Sequence, residues 1–158
     1  MTFEKFHENP KTPHKGTCLP RSYYIPALSE QTAERAVETG ISESILPLNG
    51  IWNFAYFSSF DEATEFGKNK ITDIDDAAMK TIPVPSCWQN HGFDTHMYTN
   101  IRYPFPYDPP HIPDENPCAL YRRTFDIQSH GTLTDNFLNF EGVDSCFYVW
   151  VNKRFVGY

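Results

Sequence analysis

Asn49-Gly50-Ile51-Trp52-Asn53-Phe54-Ala55-Tyr56 is the stretch on which the fold class turns. Asn49-Gly50 punctuates the chain, and beyond it Trp52, Phe54 and Tyr56 alternate with Ile51, Asn53 and Ala55. A period of two belongs to a strand, whose successive side chains face opposite sides of a sheet. Working outward toward the C-terminus, Lys80 to Val84 reads as a short strand ending at Pro85. Further strands are expected at Ala119 to Ile127, Asn136 to Glu141 and Ser145 to Val151. Asn152-Lys153 then reads as a hairpin turn, with Arg154 to Tyr158 beginning the return strand. Ser59 followed by Glu62 has the spacing of a capping box, opening a short helix to about Phe66. Short strands between turns, with little helix, describe an all-β sandwich or jelly roll.

Outward in the other direction the pattern changes. The first 48 residues carry Pro10, Pro13, Pro20, Pro26 and Pro47 and little alternation. They read as an extended arm running over a surface, residues 1–48, ahead of a sandwich over 49–158. The arm holds one helix, with Ser29 as N-cap and Ala33, Ala36 and Val37 on one side as far as Glu38. Glu30, Glu34 and Glu38 make a solvated face of that helix. The final Phe155-Val156-Gly157-Tyr158 has strand character with no polar terminator. A strand so begun needs a neighbour, so the expectation is a sandwich cut inside a longer domain, left incomplete by this chain.

Composition narrows the partners. The 158 residues include 25 aromatics (13 Phe, 9 Tyr, 3 Trp), ample material for a core. A net charge of -7 argues against nucleic acid and acidic membrane surfaces, which need clustered Lys and Arg. The N-terminal residues have no apolar core of the kind a secretory signal requires. The longest apolar run, Cys146 to Val151, is far too short to span a bilayer. Cys18, Cys87, Cys118 and Cys146 are scattered, form no CxxC pair and read as free thiols. The expected setting is cytoplasmic, with no nucleic acid and no membrane.

The segment Tyr98 to Pro110 is the strongest candidate for a binding loop. Four of its thirteen residues are prolines, and five (Tyr98, Asn100, Tyr103, Phe105 and Tyr107) carry rings or an amide able to face a sugar. Proline fixes φ and removes donors, so the segment is neither helix nor central strand. A loop stiffened in this way loses little entropy when a ligand arrives. The same composition also suits a structural connector whose tyrosines pack on a neighbouring sheet.

Other constellations carry less. Cys87, His91 and His96 match no familiar zinc spacing and fall short of four ligands; the histidines read as loop residues. Asp73-Ile74-Asp75-Asp76 lacks the glycine and terminal Glu of a calcium loop. Trp52, Trp88 and Trp150 sit in strand-like apolar settings that suit core packing better than sugar stacking. The chain shows no phosphate-binding glycine loop and no nucleophile elbow.

Leu48-Asn49-Gly50-Ile51-Trp52-Asn53-Phe54 followed by Val84-Pro85-Ser86-Cys87-Trp88-Gln89 resembles the start of a glycoside hydrolase family 2 enzyme. Several further stretches narrow the resemblance to the large bacterial β-galactosidases. They are His91-Gly92-Phe93-Asp94, Tyr98-Thr99-Asn100-Ile101-Arg102-Tyr103-Pro104, and Pro109-Pro110-His111-Ile112-Pro113-Asp114-Glu115-Asn116-Pro117. Phe140-Glu141-Gly142-Val143-Asp144-Ser145, Val156-Gly157-Tyr158, Glu8-Asn9-Pro10 and Pro20-Arg21-Ser22-Tyr23 also fit. The resemblance covers nearly the whole chain, in order.

The resemblance implies an arm followed by most of a sugar-binding jelly roll, within an enzyme that hydrolyses β-galactosides with retention. Its two catalytic glutamates, about 5 Å apart in retaining enzymes, belong to a later barrel, so no catalytic residue and no metal ligand is expected in this chain. Mg2+ and Na+ are expected for the full-length family member, held outside this segment. The partners so implied are a galactoside substrate, the remaining domains and, in the parent, further copies as a homo-oligomer. Asn100 carries over as the substrate-binding residue of the jelly roll, with Ile101 beside it at the pocket rim. An amide offers two donors and two acceptor lone pairs to vicinal hydroxyls.

The chain departs from the family pattern at Thr17-Cys18-Leu19, where an Arg usually precedes Pro-Arg-Ser. It also lacks a tryptophan between Lys68 and Met79, and has Asn152-Lys153 where Asn-Gly is common. A different class of reading is a free-standing carbohydrate-binding module with no hydrolase attached.

Overall fold

The structure is a computed structural model and describes residues 4–66, 71–98, 100, 103, 106–127 and 135–158. The chain divides into two compact units: Met1–Thr17, Gly50–Thr124 and Asn136–Tyr158 form one, and Cys18–Asn49 with Phe125–Asp135 form the other.

The first unit is built on β1 (Gly50–Phe57), the centre of a three-stranded antiparallel sheet. β2 (Lys80–Val84) pairs on one side, Trp52 opposite Ile82, and β3 (Cys118–Arg122) on the other, Phe54 opposite Tyr121. The alternation expected of β1 sorts its side chains. Phe54 is fully buried and meets Phe93 at 4.8 Å and Tyr121 at 5.0 Å, both edge-on. Trp88 closes the same cluster against Tyr56, ring centroids 5.8 Å apart. On the opposite face, Phe57 packs with Ala63 and Ile74, and with the half-buried Ala55, Met79, Cys118 and Leu120. Burying each large side chain contributes about 1.5–3 kcal/mol.

Ala63 lies on α2 (Phe60–Phe66), the helix expected after Ser59. Ser59 Oγ accepts from the Glu62 N–H at 3.1 Å, the forward half of the capping box. The return half differs: the Glu62 carboxylate accepts from the backbone N–H and hydroxyl of Ser58, at 2.7 and 2.6 Å. Those two donors hold its pKa below the usual carboxylate value. Asn116 contributes a second cap, its Oδ1 accepting from the Phe60 N–H at 2.6 Å.

Ile74 is placed by Arg122, whose guanidinium donates to the carbonyls of Ile74 (2.5 Å) and Thr72 (3.1 Å) and to Asp76 Oδ1 (2.6 Å). Three oxygens converging on one rigid fork fold the 71–78 segment over the sheet.

β4 (Val149–Val151) and β5 (Arg154–Gly157) form a hairpin through Asn152 and Lys153, at φ 49° and 64°. Both turn residues take the left-handed conformation that a two-residue hairpin turn of type I′ requires, with lysine in the place glycine commonly fills. Residues 4–17 belong to this unit too. A 3-10 turn, Phe6–Glu8, buries Phe6 against Phe155 (5.7 Å) and Tyr158 (5.5 Å). Lys15 and Tyr158 exchange backbone hydrogen bonds of 3.0 and 2.9 Å. Gly16 (φ 70°) lies so close to that strand that a Cβ would fall 2.0 Å from the Val156 carbonyl oxygen. Only glycine fits there.

The second unit carries α1 (Glu30–Thr39). Ser29 caps it as expected, with Thr32 completing a reciprocal capping box and Gly40 ending it at φ 69°. Ala36 is buried, whereas Val37 is exposed. Ser42, also buried, donates its hydroxyl to the Pro26 carbonyl.

Three strand expectations need correction. Asn136 to Glu141 is not a strand: Phe137, Leu138 and Phe140 are exposed, and the segment pairs with none of the strands formed by the described residues. An apolar stretch makes a strand only where a ladder partner exists. The strands expected over Ala119 to Ile127 and Ser145 to Val151 are shorter, ending at Arg122 and beginning at Val149, where their pairing stops. The architecture is thus strand-dominated, with small antiparallel sheets and two short α-helices among the described residues.

Candidate functional site

After β2 the chain makes a 3-10 turn, Trp88–His91, closed by Gly92 at φ 80°. His96 is an exposed loop residue whose Nε2 lies 2.9 Å from Asn90 Oδ1. Asp94 takes φ 63°, and its carboxylate accepts from the Thr95 N–H at 2.7 Å. These local bonds lead the chain to Tyr98 and Asn100. Asn100 is exposed, in a turn, and its Nδ2 donates to Tyr98 Oη at 3.3 Å. Tyr98 is itself 73% exposed. The amide is therefore oriented by a phenol and open to solvent. Ile101, the other expected substrate contact, lies outside the described residues.

Farther along the loop, Tyr103 and Tyr107 stand edge-on, ring centroids 6.4 Å apart, and both are exposed. The His111 N–H donates to the Asp108 carbonyl at 2.9 Å, turning the chain back. Asn116 Nδ2 donates to the Pro113 carbonyl at 2.6 Å, fixing the end of the loop ahead of β3. This stretch forms one wall of a cleft of about 530 Å³, completed from the two ends of the chain by residues including Phe6, His7, Phe147 and Tyr158. Aromatic faces, imidazoles and phenols in one concavity suit an uncharged, hydroxyl-bearing ring. Asn100 is not among the residues that line it. His7, Phe147 and Tyr158 carry no local sequence signal for this placement, because their neighbours lie at the far end of the chain.

Trp88 and Trp150 pack on the protein's own rings, Trp150 stacked on Tyr148 at 5.9 Å. Among the described residues no group of three His, Cys, Asp or Glu side chains is placed to hold a metal ion. The four cysteines are free thiols. Burial, with smaller contributions from Glu62 and Cys146, pushes the Cys118 thiol up to about 12. That thiol is no nucleophile at neutral pH. No helix of the described residues is long and apolar enough to cross a membrane.

A strand-dominated unit whose proline-rich loop exposes tyrosines sets only a broad class, and comparison with known proteins makes it specific. Residues 45–158 match the family described as glycosyl hydrolases family 2, sugar binding domain, and the chain belongs to that family. It is 43% identical to a β-galactosidase of Actinobacillus pleuropneumoniae over 158 residues, covering 100% of this chain and 15% of that protein. A β-galactosidase of Staphylococcus xylosus is 38% identical over 159 residues, again 100% of this chain and 15% of the relative. One from Pectobacterium atrosepticum is 42% identical over 119 residues, 74% of this chain and 11% of the relative. The chain is thus homologous to the N-terminal region of these enzymes and spans about 15% of the length of the first two. The catalytic domain is not part of it.

Proposed function

We propose that this chain is the N-terminal sugar-binding part of a β-galactosidase that releases terminal β-D-galactose with retention. In this reading the segment is the greater part of a jelly roll with its preceding arm. It supplies substrate and subunit contacts to a homo-oligomer, while the catalytic carboxylates, Mg2+ and Na+ reside in other domains. The observation that carries the reading is 43% identity to a β-galactosidase across the whole chain. Asn100 is the substrate contact. Its side chain is exposed, steered by Tyr98 and carried on a loop whose prolines hold it ready for a sugar hydroxyl. Ile101, next in sequence, is assigned to the rim of the galactosyl subsite on the family resemblance alone.

The test is Asn100→Ala in the enzyme comprising this segment and its catalytic domain. Losing one or two hydrogen bonds to a polar substrate lowers kcat/KM on a galactoside by roughly ten- to a hundredfold. His96→Ala, which breaks a bond to Asn90 in the preceding loop, should change it far less. A kinetically silent Asn100→Ala overturns the assignment.

A further inference from the structure

The N-terminal segment is fastened to the β4–β5 hairpin at two places of different chemistry. One is the pair of backbone hydrogen bonds between Lys15 and Tyr158, which no ordinary pH alters. The other is His7. Its backbone N–H donates to Tyr148 Oη at 3.2 Å, and its Nδ1 lies 2.7 Å from the same oxygen. The ring stands edge-on to Phe60, centroids 4.6 Å apart. Its other nitrogen, Nε2, is buried and has no hydrogen-bond partner among the described residues.

We propose that His7 is a pH-sensitive latch, its neutral imidazole holding residues 4–16 on the β4–β5 hairpin and its protonation in mildly acidic solution releasing them. An imidazolium makes both ring nitrogens donors. Nε2–H would then carry part of a positive charge into a pocket walled by Phe60 and Tyr148 and find no acceptor, a costly burial. On release, the same ring gains water on every side.

The charged groups around His7 come from three elements. On its own segment, Glu8 favours the cation and Lys5 opposes it. From α2, Asp61 favours the cation, but its carboxylate is already paired with Lys5 at 3.3 Å. From the residue just before β4 comes Tyr148, its phenol pushed up to about 12, chiefly by burial, and so uncharged throughout the relevant range. Burial outweighs the two carboxylates and lowers the pKa of docked His7 below its ordinary 6.5. The docked state therefore binds fewer protons than the released one. Docking is at full strength above about pH 6.5 and weakens as pH falls below it, by up to about tenfold per unit until docked His7 itself titrates.

Hydrogen exchange followed by mass spectrometry on the intact protein reads this directly, at pH 7.5 and 5.5 with intrinsic exchange rates corrected. Protection in peptides covering 5–17 should fall between those pH values, by at most about tenfold. Peptides from β1 should keep theirs, which separates local release from acid unfolding. His7→Asn keeps a polar group near the Nδ1 position but cannot titrate, and should change less than twofold. An unchanged wild-type segment, or an equal fall in His7→Asn, overturns the latch. Should His7→Asn already be open at pH 7.5, the wild-type profile decides. Loss of protection beginning below pH 6.5 sustains the latch, and a profile flat to pH 5 ends it.

Discussion

The β1 sheet and the Tyr98–Pro110 loop are both rich in aromatic residues and use them in opposite ways. In the sheet, hydrogen-bonded neighbours on both sides of β1 fix which residues face inward, and Phe54 ends with none of its surface exposed. In the loop, Tyr98, Tyr103 and Tyr107 are 73%, 71% and 85% exposed. Rigidity in the sheet comes from side chains that consume one another. In the loop it comes from prolines, which restrain the backbone covalently and ask nothing of the neighbouring rings. A loop stiffened by proline can therefore keep aromatic surface in reserve for a ligand.

Substitutions test that contrast. Phe54→Ala should have the largest effect, about 3–5 kcal/mol of lost stability, since Phe93, Tyr121 and Trp88 close over a cavity they cannot fill. Urea unfolding should show a clear fall in midpoint. Arg122→Ala comes next, at about 1.5–3 kcal/mol, because three oxygens lose a charged donor and Ile74 loses its tether. Tyr107→Ala should stay within about 0.5 kcal/mol, as expected where a side chain touches little. If Tyr107→Ala destabilised the protein as Phe54→Ala does, the loop tyrosines would be structural and the contrast would collapse.

The readable parts of the fold were those whose cause is local. The period of two in Ile51 to Tyr56, the turn at Asn152-Lys153, the Ser29 cap and the strand over Lys80 to Val84 each rest on residues within a few positions of one another. Asn136 to Glu141 carries Phe137, Leu138 and Phe140 but has no partner strand among the described residues, and pairing is a non-local property. The threefold grip of Arg122 was hidden for a similar reason, since its acceptors lie nearly fifty residues upstream. At the candidate site, the character of the loop was legible from its prolines and rings. The role of Asn100 came only from likeness to a family, because an exposed amide has no distinguishing pattern of its own. The cleft formed by His7, Tyr107 and Tyr158 had no local trace at all.

The bond between His7 and Tyr148 joins residues 141 positions apart. During synthesis, Phe6 and His7 leave the ribosome long before the surface they occupy exists. At about 5–20 residues per second, that wait is on the order of ten seconds. For all that time an aromatic side chain destined for burial is exposed to the cell. The segment's closure spans 141 positions, a long loop whose ends meet only after the intervening chain has been made. The two glutamates, three lysines and two prolines of residues 4–16 disfavour a premature strand in the waiting peptide. Phe6 and His7 are thus made long before the surface that receives them.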